Sequence, residues 1–146
     1  MIKTKVILSA IAATALSVSS IAATVIAPAA AQTTAENILH EGAWTKKSFS
    51  SKGTWSIVER DGARYVKLSS DFRTRNAPDL KIFLSPTSAS ATTGSNATQG
   101  SILVSPLRSN SGAQSYRIPD GVELSDFASI LIHCEAYSKL WSASDL

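Results

Sequence analysis

The stretch "TWSIVERDGARYVKLSS", Thr54–Ser70, decides the fold. Asp61-Gly62 is a two-residue hairpin signal, because both central positions of a type I′ turn need positive φ and this pair adopts it at little cost. Folding the two arms about that turn sets Ile57 against Val66 and Trp55 against Leu68 on one face. The other face receives Ser56 with Lys67 and Val58 with Tyr65, and Glu59 falls opposite Arg64 near the tip as a cross-strand charge pair. One face is dry and the other mixed, as in an antiparallel sheet that covers a core on one side.

Working outward, four more segments read as strands: Leu80–Leu84, Ile102–Leu107, Gln114–Ile118 and Ala128–Cys134. Pro78, Pro86, Pro106 and Pro119, with Gly112 and Gly121, punctuate them. Short strands at this spacing, with almost no helical periodicity, predict an all-β chain. The architecture is a single-domain antiparallel β-sandwich or small barrel. Trp44, Trp55, Trp141, Phe49, Phe72, Phe83 and Phe127 supply its core. Upstream, Thr33-Thr34-Ala35-Glu36 has capping-box spacing ahead of Ile38 and Leu39, so the lead-in 32–41 holds at most a short helical turn, with strands from Gly42. Ser85–Ser101, "SPTSASATTGSNATQGS", is polar and of low complexity, and longer than most connections in a compact domain. Its composition suits a disordered hairpin tip better than a ligand-facing loop.

Residues 1–31 read as an export signal. Lys3 and Lys5 form a basic n-region, Val6–Ala27 carries no charge, and Ala29-Ala30-Ala31 offers a signal-peptidase site, placing Gln32 at the mature N-terminus. The expected location is therefore the periplasm or the extracellular space, with no membrane span after cleavage. Processing also changes the charge. The 14 basic and 11 acidic side chains of the whole chain lose only Lys3 and Lys5, so the formal charge falls from +3 to about +1. Lys46-Lys47 and the Arg73/Arg75 pair are the only local basic clusters, too sparse for a nucleic-acid role.

The inventory of reactive side chains excludes more than it offers. The only methionine is Met1, which removes a methionine ligand for a blue-copper or cytochrome-c-like site. One cysteine rules out two-thioether haem attachment and an internal disulfide. A zinc site would need Cys134, His40, His133 and a carboxylate together, yet His133 and Cys134 are strand neighbours and point to opposite faces. No metal site is expected. No nucleophile elbow and no phosphate-cradling loop is present, so the chain does not read as a classical enzyme. Asp71 and Asp79 read as turn residues. Cys134 remains, in apolar company with Ile130 and Ile132 on its face. Its alternatives are an inert core thiol and a reactive one, and reactivity needs a cation nearby, because an ordinary thiol is only about 3% thiolate at pH 7.

Several longer stretches carry a family resemblance. "GAWTKKSFSSKGTWSIVERDGARYVKLSSDFRTRNAPDLKIFLSP", then "YRIPDGVELSDFASILIHCEAYSKLWSASDL", resembles the DM-thirteen domain of the electron-transfer DM family, from about Gly42 to Leu146. The specific parts are Phe72, Thr74, Ala77, Pro78, Asp79 and Leu80, then Tyr116, Ile118 and Pro119, then the C-terminal "CEAYSKLWSASDL". The resemblance implies an all-β domain of the kind found beside haem- or sugar-binding DOMON domains in extracellular proteins. It places the family's characteristic cysteine at Cys134, as a redox thiol or as ligand to a prosthetic group such as haem. Asp79, His133, Tyr137 and Trp141 would shape the surroundings of that thiol. With no DOMON domain in this chain, a redox or cell-surface partner would be a separate protein. A second function class stands beside this one: a non-catalytic binding or adhesion module in which Cys134 is packing.

Overall fold

The computed structural model describes residues 35–146. The export signal at 1–31, its cleavage site, and Thr33 and Thr34 of the capping-box spacing lie outside the described residues. The described residues form eleven strands: β1 (Asn37–Ala43), β2 (Thr45–Lys46), β3 (Ser51–Lys52), β4 (Thr54–Arg60), β5 (Ala63–Leu68), β6 (Arg73–Thr74), β7 (Leu80–Ser85), β8 (Ile102–Pro106), β9 (Gln114–Arg117), β10 (Ser129–Cys134) and β11 (Lys139–Asp145). Two short 3₁₀ turns, Leu124–Asp126 and Glu135–Tyr137, flank β10.

The β4–β5 hairpin follows the register read from the sequence. Trp55 pairs with Leu68, Ile57 with Val66, Ser56 with Lys67 and Val58 with Tyr65. Asp61 and Gly62 have φ of 52° and 72°, the left-handed pair of a I′ turn. Glu59 does stand opposite Arg64, but no ion pair forms there. Arg64 Nη1 instead donates to Val122 O at 2.8 Å, fixing the loop after β9. An exposed ion pair is worth little, whereas a half-buried carbonyl needs a donor.

Two larger sheets face each other, ordered β1-β4-β5-β9 and β2-β11-β10-β7-β8, with β3-β6 as a small third sheet. All pairings are antiparallel. β1 runs through Trp44 directly into β2 on the opposite sheet, and that corner is filled by the Trp44 ring, 6.3 Å from Trp55 and 6.4 Å from Phe72. On the far side β8 and β9 approach without pairing, so the sandwich does not close into a barrel. Side chains close that seam: Arg108 N donates to Tyr116 Oη at 3.0 Å, and Ser109 N to Gln114 Oε1 at 3.0 Å.

Two sequence expectations need correction. The helical turn expected before Gly42 is absent among the described residues, because strand β1 already begins at Asn37 and pairs with β4. Pairing satisfies the backbone of a half-buried segment more completely than one short turn. The Ser85–Ser101 segment is also no disordered tip. It packs Ala89 and Ala97 against Phe83, Leu131, Leu140 and Ala143, the outer face of the five-stranded sheet. Ala89 N donates to Asp145 Oδ1 at 2.7 Å, Ser129 Oγ to Thr87 O at 2.6 Å and Thr92 Oγ1 to Ser88 O at 2.7 Å. Its small residues suit close approach: a Cβ on Gly94 would collide with the backbone oxygen of Ser138.

Three bulges interrupt the strands, at Leu39 in β1, Val104 in β8 and Trp141 in β11. Each extra residue joins or packs on the inner core. A bulge puts two consecutive residues opposite one on the partner and so breaks the period-2 alternation. Gly53 adds a different constraint. Its φ is +84°, and a Cβ there would lie 2.9 Å from both Phe72 N and Cα. Gly53→Ala should therefore lower unfolding free energy by about 2–4 kcal/mol, from left-handed strain plus overpacking. Gly62→Ala, with positive φ and open space around it, should cost only about 1 kcal/mol. Urea denaturation of the two variants checks the ordering.

Candidate functional site

The site is the last turn of β10 and what surrounds it. β10 is the central strand of its sheet, hydrogen-bonded to β7 and β11, and all six of its residues are buried. Alternation sends Ile130, Ile132 and Cys134 inward, into the core that also holds Trp141, Leu80 and Phe72. Leu131 and His133 point outward, Leu131 beneath Ala89 and Ala97 of the Ser85–Ser101 cap and His133 against Phe83. Cys134 is fully buried and unpaired.

The proposed site residues do not all gather at the thiol. Trp141 does share the inner cluster with Cys134, delivered there by the β11 bulge. Tyr137 lies in the 3₁₀ turn after β10 and is 63% exposed, so its ring faces solvent. His133 is 2% exposed on the opposite face of the sheet, edge-on to Phe83 with ring centroids 6.1 Å apart. Asp79 occupies the turn before β7, and its backbone oxygen accepts from Glu135 N at 3.2 Å. Lys81 Nζ pairs with Asp79 Oδ1 at 3.2 Å and with the Glu135 carboxylate. Both carboxylates hold the Lys81 ammonium above its ordinary pKa, with the Glu135 hydrogen bond the largest cause. Sequence reasoning missed this Asp79–Lys81–Glu135 clamp, which ties the start of β7 to the turn that closes over the end of β10. The i, i+2 spacing of Asp79 and Lys81 on an entering strand was the available signal; Glu135 arrives only through pairing.

Cys134 pairs in register with Leu80 on one side and Lys139 on the other. Each of those two neighbours lines a surface cleft. Leu80 contributes to one of about 160 Å³ with Asp79, Pro106 and Arg108, and Lys139 to one of about 330 Å³ with Lys47, Thr93 and Ser138. Cys134 lines neither. The thiol is thus one strand from solvent on both sides and open to it on neither.

A haem does not fit these surroundings. A ligand of that size needs a formed pocket of several hundred Å³ around its reactive atom, and the Cys134 sulfur is enclosed by packed side chains at zero exposure. His133, the nearest imidazole in sequence, faces the other layer, and His40 lies on β1 of the other sheet. Among the described residues no three His, Cys, Asp or Glu side chains come together as a metal site.

His133 itself carries an uncompensated feature. Its Nδ1 is buried without a hydrogen-bond partner. Burial holds the imidazole below its ordinary value of 6.5, and the opposing pull of Glu135 and Asp79 is smaller. The folded state therefore keeps His133 neutral where the unfolded chain takes up a proton. Stability from this residue is complete above about pH 6.5 and is lost as pH falls below it, with a slope of at most about 1.4 kcal/mol per pH unit. Denaturation series between pH 7.5 and pH 5 should show that decline, and His133→Leu should flatten it, in line with the apolar contacts of the outer layer.

Comparison with known proteins bears on the whole of this region. No curated protein and no solved structure matched the chain. The model of one family, described as "Electron transfer DM13", matches residues 44–145. That span runs from the Trp44 corner through β11 and includes every strand after β1, the thiol, the clamp and the cap. By that match the chain belongs to the electron transfer DM13 family.

Proposed function

We propose that this is an exported electron-transfer protein whose redox group is the Cys134 thiol, acting in the periplasm or outside the cell on a separate partner. The support for export is the 1–31 leader, and the support for a redox role is the family. The observation that carries the assignment to Cys134 is its position. It is the last residue of β10, directly before the exposed Glu135–Ser138 turn. That turn is held by Glu135 N to Asp79 O and by the Lys81 clamp, not by apolar packing. Few buried contacts and exposed hydrogen bonds are what low-cost local opening requires.

The chemistry is thiol–disulfide exchange. Once uncovered, the Cys134 thiolate attacks one sulfur of a partner's disulfide; a new S–S bond forms, and the partner's second sulfur leaves as a thiolate. Cys134 is the only cysteine, and return attack by the partner's thiolate only reverses this step, so net transfer needs two molecules of a small external thiol. The first attacks the Cys134 sulfur and frees the partner as a dithiol; the second attacks the sulfur now bound to Cys134, which leaves as a thiolate while the two external thiols depart joined as a disulfide. The full burial of Cys134 favours a second reading, a binding or adhesion module in which the cysteine fills the core.

Alkylation of the native thiol as a function of urea separates the two readings. Local opening predicts a labelling rate that depends weakly on urea and rises several-fold in Lys81→Ala without loss of global stability. Cys134→Ser should remove both the label and any mixed disulfide with a model aromatic disulfide. A labelling rate that follows global unfolding in every variant would leave the cysteine as packing.

A further inference from the structure

The two basic clusters seen in the sequence, Lys46-Lys47 and Arg73/Arg75, are remote in the chain and adjacent in the fold. Lys47 N and Phe49 N both donate to Trp141 O, at 3.2 and 3.1 Å, which lays the segment after β2 along β11. The Phe49 ring packs tilted against Trp141 with centroids 4.0 Å apart, and the Arg75 guanidinium sits 5.1 Å from the Phe49 centroid. Buried hydroxyls join the remaining pieces: Ser51 Oγ lies 2.7 Å from Ser142 Oγ and 3.0 Å from Thr74 Oγ1. That contact seats the β3–β6 pair, with Lys52 directly opposite Arg73, against the same stretch of β11. Lys139 opens β11 and shares a cleft with Lys47.

Charge is sorted accordingly. Arg60, Lys67, Lys81 and Arg117 have carboxylate partners, all on other parts of the surface. Lys46, Lys47, Lys52, Arg73, Arg75 and Lys139 have none among the described residues; Arg64 and Arg108 also lack one, but their guanidinium groups donate to the carbonyls of Val122 and Ser115. Of the acidic groups closest in sequence, Glu135 is paired with Lys81, and Asp71 accepts a hydrogen bond from Ser69 without a cationic partner. A domain with a formal charge near +1 therefore places half of its cations on segments that meet along the β2 edge of the five-stranded sheet. Like charges directly opposite on paired strands are mildly destabilising in the free protein, and a bound anion would relieve Lys52 against Arg73.

We propose that this face, over the Trp141–Phe49–Arg75 stack, docks an acidic protein surface. Its clefts are shallow and its exposed groups are mainly cationic; of the exposed large apolar side chains, Ile38 and Leu103 lie on β1 and β8, and only Tyr137, in the turn before Lys139, stands beside it. A membrane surface would need apolar anchors within the strip. A nucleic acid would need a denser basic stripe with interleaved aromatic rings, and these six cations are spread over four short segments. The fit is to a weak, electrostatically steered protein encounter of the kind transient complexes use. The proposal stands whether or not Cys134 exchanges electrons.

An oligoglutamate peptide titrated into ¹⁵N-labelled protein, followed by amide shifts, tests it without any redox readout. Shifts should fall on Lys46, Lys47, Lys52, Arg73 and Lys139 and shrink strongly between low salt and about 0.15 M. Lys46→Glu combined with Lys47→Glu should weaken binding at least tenfold with an unchanged amide spectrum elsewhere, while Lys67→Gln on the other sheet should leave it intact. Shifts centred on another face would overturn the proposal. So would indifference to the double reversal, or tighter binding of an anionic phospholipid vesicle or a single-stranded oligonucleotide at matched charge.

Discussion

The burial of β10 on both faces is the constraint on which the rest of the structure depends. An exposed β-sandwich sheet needs one covered face; a central strand reading Ser-Ile-Leu-Ile-His-Cys needs two. The inner face is met by the β1-β4-β5-β9 sheet, through Trp55, Ile57, Val66 and Leu68. The outer face is met by a connection instead of a second sheet, and that connection is built from alanine, serine, threonine and glycine because it must lie close to the strands. Its polarity serves its own backbone, through bonds such as Ser101 Oγ to Ala97 O and Thr93 N to Asn96 Oδ1.

The same constraint sets the chemistry available to the neighbouring pair His133 and Cys134. Alternation puts them in different layers, so neither supports the other as ligand or base. His133 lies in the outer layer with a buried nitrogen that no protein group bonds, and Cys134 in the sandwich core that also holds Trp141. What relates the thiol to solvent is the short turn that follows it, held by charge and backbone hydrogen bonds. Burial and a latch of polar bonds are compatible with a thiol that is protected at rest and reached by local opening.

The two proposed functional regions share β11. One is the clamped turn over Cys134. The other is the cationic face over the Phe49–Trp141 stack, where the bulge in β11 turns Trp141 inward and leaves its backbone oxygen to hold the segment carrying Lys47 and Phe49. The bulge links the two: without the extra residue, Trp141 and Ser142 would alternate and only one of them would reach the inner side.

Strand identity, the hairpin register about Asp61-Gly62, the all-β class and the inward direction of Cys134 were legible in the sequence, since each follows from local turn chemistry and period-2 alternation. The sequence also carried the motifs by which the chain is placed in its family. Tertiary structure alone decided the rest. β1 and β11 read poorly because bulges at Leu39 and Trp141 break the alternation by which strands are recognised. Ser85–Ser101 read as disordered because a cap made of small residues has the composition of a linker, and only the apolar outer face of β7, β10 and β11 gives it something to bury. The Glu59–Arg64 pairing was correct in register and wrong in partner, because a carbonyl at Val122, distant in the chain, competes for the guanidinium. The convergence of Lys46, Lys47, Lys52, Arg73, Arg75 and Lys139 is likewise a product of folding: side chains far apart in sequence meet only when the corner at Trp44 and the hydroxyl contacts of Ser51 bring their strands to one edge.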